Sequence, residues 1–128
     1  MGAAIRVDVR GASEPAAPRN HSLMLRLADT LDRCSAKLNV PKLSEFYDSS
    51  ALETEYDDDG VWFDPGPALA AVRALGDHLA RNPQVLGIAA DSPRRHWPGL
   101  LAGEIEHCRA TLEAAAAAGR PFRFLIVS

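Results

Sequence analysis

LEAAAAAGRPFRFLIV, residues 112–127, is the stretch whose reading decides the fold. Five consecutive alanines, 114–118, give it the strongest intrinsic helix propensity in the chain. Gly119 suits the left-handed residue that ends a helix, and Pro121 bars continuation. In FRFLIV, Phe122, Phe124 and Ile126 then fall on one side, and Arg123, Leu125 and Val127 on the other. Period two with apolar residues on both sides predicts a well-buried strand over 122–127.

The opposite end of the chain answers it. Residues 4–10, AIRVDVR, alternate Ile5, Val7 and Val9 with Arg6, Asp8 and Arg10, a half-buried strand. Three helical stretches lie between. Met24, Leu27, Leu31, Cys34 and Leu38 make one stripe over 22–38, with Asn20 or Ser22 as candidate caps and Asn39 as the stop. Asp29, Asp32, Arg33 and Lys37 fall off that stripe and are expected in solvent. Leu69, Val72, Leu75 and Leu79 mark 65–81, opened by Asp64 as N-cap and Pro65 in the first turn. Leu101, Ile105, Cys108, Leu112 and Ala115 mark 98–118.

The expected class is α+β: one domain over 1–128, three long helices packed on a small sheet made from the N-terminal and C-terminal strands. Two other pairings stay open, through residues 85–90 and through a second subunit, so a homodimer is admitted. Residues 83–97 read as a short buried strand or as coil plugging the core, with Arg94, Arg95 and His96 as a basic knot beside Trp97.

Between the first two helices runs an acidic, aromatic connector, residues 43–64. Five of the chain's eight aromatics lie in it, Phe46, Tyr47, Tyr56, Trp62 and Phe63. Residues 43–72 hold eight acids and no base, so the remainder, with nine acids against fourteen bases, carries +5. Ser44 is a candidate cap for a short turn, and another turn is admitted near 51–56. The aromatics are expected to turn inward and the acids outward. Trp62 and Phe63 would each bury ~150–250 Å², and Trp62→Ala should then cost ~3–5 kcal/mol.

Composition sets the partner class. Net charge is −3, with 47% apolar and 24% charged residues. An ordinary globular protein of the cytoplasm fits, with neither nucleic acid nor a membrane as partner. No apolar run approaches a membrane span, and Arg6 stands where a myristoylation motif after Gly2 wants Ser or Thr. Cys34 and Cys108 both sit on apolar stripes and read as reduced core thiols.

Four segments together resemble a group of small bacterial proteins: LDRCSAKLNV (31–40), PKLSEFYD (41–48), WFDPGPALAAVRAL (62–75) and LEAAAAAGRPFRFLIV (112–127). The most specific part is WFDP followed by the spaced Leu69, Val72 and Leu75. Asn39 departs from the group's usual Gly, as does the Arg-rich stretch at 88–97. The resemblance implies the order of elements and a bacterial setting. It brings no catalytic residue.

Chemical motifs are few. With Gly60 at the sixth position of a calcium loop, Glu55, Asp57 and Asp59 take positions one, three and five. The twelfth position is Gly66 where a bidentate Glu is required, so the match fails at its most constraining ligand. Glu104 and His107 form an E-x-x-H pair that lacks the partners of a di-iron bundle and reads as two polar side chains facing solvent. Cys108 beside His107 projects about 100° away on the helix, badly placed to share a proton. His21, His78 and His96 show no ligand spacing. No cofactor and no catalytic residue are expected.

The functional expectation is a non-catalytic protein-interaction module, of the inhibitor or immunity kind, presenting an acidic surface to a basic protein. Glu55, Tyr56, Asp57, Asp58, Asp59 and Tyr47 would carry it, the tyrosines as exposed anchors. The alternative is a small metal-dependent enzyme using Glu55, Asp57 and Asp59.

Overall fold

A computed structural model describes residues 3–11, 20–47 and 61–127. The two ends of the chain pair with each other. Strands β1 (Ala4–Val9) and β2 (Phe122–Val127) run antiparallel, Val9 opposite Phe122 and Ala4 opposite Val127. Between them come helices α1 (Ser22–Arg26), α2 (Ala28–Leu38), α3 (Pro65–Arg81) and α4 (Trp97–Ala118). Short 3-10 turns at Leu43–Phe46 and Pro83–Leu86 complete the order. The fold is α+β, with the helices packed on a two-stranded antiparallel sheet.

The register sorts side chains by face, because residues directly opposite in an antiparallel pair project to the same side. Ile5, Phe122 and Phe124 point inward and are fully buried, with Val7 and Val9 beside them. Asp8 and Arg123 oppose each other on the outer face, Nε to Oδ2 at 2.9 Å. A two-stranded ribbon is marginal alone; here Leu23, Met24, Leu31, Leu75, Leu101 and Leu112 cover its inner face.

Each remaining sheet edge carries a bridge to a connecting segment. On the free side of β1, Ile5 and His21 exchange backbone hydrogen bonds of 3.0 and 2.7 Å. On the free side of β2, Phe63 and Phe122 exchange bonds of 2.8 and 2.9 Å, and Tyr47 makes a parallel bridge to Phe124. A covered edge is protected from pairing with another chain.

The helix ends follow the sequence closely. Asp64 Oδ1 accepts from the Gly66 amide at 3.0 Å, with Pro65 as first helical residue. Asn39 and Gly119 take left-handed conformations, φ 58° and 67°, and end α2 and α4.

Three local expectations need correction. The stripe over 22–38 belongs to two helices, broken at Leu27 (φ −100°, ψ 17°) without Pro or Gly. The break has a tertiary cause: α1 packs on β1 and α4, whereas α2 packs on α3 and the 43–46 turn. Ser44 caps nothing; its hydroxyl donates to Asp32 Oδ2 at 2.7 Å, so Asp32 faces a partner on the connector and is only partly exposed. Neither Asn20 nor Ser22 caps α1. Of the two readings of residues 83–97, the structure takes the non-strand one: Val85 and Leu86 pack on the core from a 3-10 turn. Among the described residues, no helix is long and apolar enough to cross a membrane.

Candidate functional site

The connector meets the sheet at the outer edge of β2, and its geometry there is that of an extended chain. Successive residues point to opposite faces. Phe63 turns inward, its ring edge-on to Phe46 at 5.4 Å and 6.3 Å from Phe122. Trp62 turns outward, under the guanidinium of Arg123 at 4.2 Å and near that of Arg10 at 5.7 Å. The expectation that both rings enter the core therefore fails for Trp62. Both are half-buried, and only Phe63 packs against the core. Adjacent rings on a strand edge must diverge, which is the physical reason.

Tyr47 is half-buried too, its ring edge-on to Phe124 at 6.4 Å. Burial, then the charges of Asp32 and Asp29, push its hydroxyl up to about 12. It is an attachment point of the connector, not the exposed anchor expected. Tyr47 and Phe63, on either side of residues 48–60, thus bridge β2 two positions apart on the same strand. That segment holds Asp48, Glu53, Glu55, Asp57, Asp58 and Asp59 and no base. Glu55, Tyr56, Asp57, Asp58 and Asp59 lie outside the described residues, as does the turn expected near 51–56.

A second constellation forms at the edge of β1. α1 opens with orphan amides and without a side-chain cap of its own. Glu104, reaching across from α4, supplies one: its carboxylate accepts from the Leu23 amide at 3.3 Å and the Met24 amide at 3.0 Å. The negative charge also complements the positive end of the helix. Asn20, the expected cap, accepts from Arg6 Nε at 3.1 Å instead.

One turn along α4, His107 meets His21. Nδ1 of His107 lies 3.2 Å from Nε2 of His21, with ring centroids 5.0 Å apart and planes at 51°. His21 is only 2% exposed, and its backbone is the bridge to Ile5. A cavity of about 510 Å³ opens beside the pair, lined also by Asn20, Ser22, Leu100 and Gly103. Glu104 and His107 are therefore engaged with α1 and His21 rather than simply facing solvent. Sequence spacing gave no sign of the third member, because His21 and His107 stand 86 positions apart. Among the described residues no three His, Cys, Asp or Glu side chains gather closely enough to hold a metal ion together.

The thiols behave as core residues. Cys34 and Cys108 are free and buried, and burial pushes Cys108 up to about 12. A thiol held protonated in this way is a poor nucleophile. A larger groove of about 600 Å³ runs between α3 and α4 past Val72, Gly76, Leu101 and Ile105. Its rim carries the ion pairs of Arg73 and Arg109 with Glu113, and of Arg109 with Glu106.

No family model, no curated protein and no solved structure matches the chain.

Proposed function

We propose that this chain is a non-catalytic protein-interaction module of the bacterial cytoplasm, offering residues 48–60 as an acidic surface to a basic protein. An inhibitor or immunity-type protein that masks a basic site is the concrete form. The observation that carries the reading is the closed base of the segment. Six acids without a base stand between two attachments on one strand edge, Tyr47 on Phe124 and Phe63 on Phe122. Holding both ends of a chain close together lowers the entropy its intervening residues lose on binding. Concentrated negative charge raises the rate of encounter with a positive partner and rejects polyanions. Tyr56, inside the block, supplies an aromatic side chain suited to anchor the contact.

The experiment compares wild type with the triple variant Asp57→Asn, Asp58→Asn, Asp59→Asn against the basic protein that wild type retains from a bacterial lysate. Affinity should fall at least tenfold in the variant, and its salt dependence should flatten. Equal affinity and an unchanged salt slope would remove the acidic segment from the interface.

A further inference from the structure

We propose that His21 and His107 form a two-imidazole site for a first-row transition-metal ion of the zinc type. The distance between their facing nitrogens is the first ground. Ligands held ~2.0–2.1 Å from a tetrahedral zinc stand ~3.3–3.4 Å apart, and the two nitrogens are separated by 3.2 Å. Imidazole is the side chain that zinc, copper and nickel share as a preferred ligand.

Placement is the second ground. The nitrogens are presented by two independent, rigid supports: His21 by its backbone bridge to β1, and His107 by the middle of α4. Glu104 precedes His107 by one turn on the same face of that helix. Its oxygens are committed to the Leu23 and Met24 amides. It contributes negative charge near a dication without ligating it.

Proton balance is simple. In the metal-free pair, one hydrogen lies between the two rings. A metal entering there takes both facing lone pairs and displaces that hydrogen, to another nitrogen or to solvent. The two imidazoles then hold the metal through the nitrogens that face each other. No third protein ligand among the described residues completes the set. The adjoining cavity of about 510 Å³ gives water access to the metal's remaining positions.

The test uses the full chain, freed of any purification tag and of metal by chelation, titrated with zinc chloride alone in a calorimeter. One equivalent should bind. His107→Ala should weaken binding at least tenfold, and His96→Ala, at an exposed residue of the turn before α4, should leave it unchanged. Nitrogen-15 spectra of the wild-type rings give a readout independent of variant folding. Nε2 of His21 and Nδ1 of His107 should both shift on zinc addition. Absence of binding at millimolar zinc, equal binding by a folded His107→Ala, or unmoved ring nitrogens at saturation would each overturn the site and leave only a hydrogen bond between two histidines.

Discussion

The two edges of the sheet are closed by the same backbone device but lead to different chemistry. At β1 the covering residue is His21, whose side chain turns into a polar pocket with His107 and Glu104. At β2 the covering residues are Tyr47 and Phe63, whose rings extend the aromatic cluster of Phe46, Phe122 and Phe124. Apolar area stabilises the second edge, and hydrogen bonds with charge stabilise the first. Removal of ring area should therefore be costly at β2, whereas polar substitutions at β1 should change stability less and ligand behaviour more.

The largest expected effect is Phe63→Ala. Truncating a ring packed against the core costs about 3 kcal/mol, read as a lower urea midpoint with an unchanged slope. Trp62→Ala should cost less, about 1–2 kcal/mol, because the ring lies outside the core and is held by guanidinium contacts. A Trp62 loss equal to that of Phe63 would mean that the outer face of the sheet is a second core. On the β1 side, Glu104→Ala should cost about 1 kcal/mol, the size of a lost helix cap. It should also raise amide exchange at Leu23 and Met24 specifically. Gly103→Ala, where an added Cβ meets nothing within 4 Å, should stabilise α4 by about 0.8–1 kcal/mol.

Tyr47 supplies a test with no effect at neutral pH. Its folded value is about 12 against an ordinary 10.0. The raised value means the neutral hydroxyl is favoured in the fold. Its contribution is fully present below pH 10 and is lost as pH rises through about 12. Absorbance titration of Tyr56→Phe, which leaves Tyr47 as the sole tyrosine, should show a midpoint near pH 12. A midpoint near pH 10 would place the ring in solvent and undo the attachment at Phe124.

Much of the architecture was legible in the residues. The start of α3 was set by Asp64 and Pro65, and the end of α4 by Gly119, because caps and stops act within one turn of chain. The alternation of 4–9 and 122–127 located both strands. The break at Leu27 was not legible, since the stripe continues through it and only the different partners of α1 and α2 demand a change of direction. Trp62 was half legible: the alternation that placed Phe63 inward should have turned its neighbour outward. The acidic segment was evident in the sequence, but the bridges of Tyr47 and Phe63 to β2 that flank it were not. The His21–His107 contact had no local signature at all.

The sequence by itself determined the α+β class, the start of α3, the ends of α2 and α4 and the apolar faces, because each depends on residues within a few positions of one another. Only the tertiary structure decided which edge each connecting segment covers, that Glu104 caps a helix other than its own, and that two histidines from opposite ends of the chain face each other. Those outcomes depend on the antiparallel closure of β1 on β2, which brings the chain's two ends into one layer. No pattern of neighbours encodes a meeting that distance in sequence keeps apart until that closure is made.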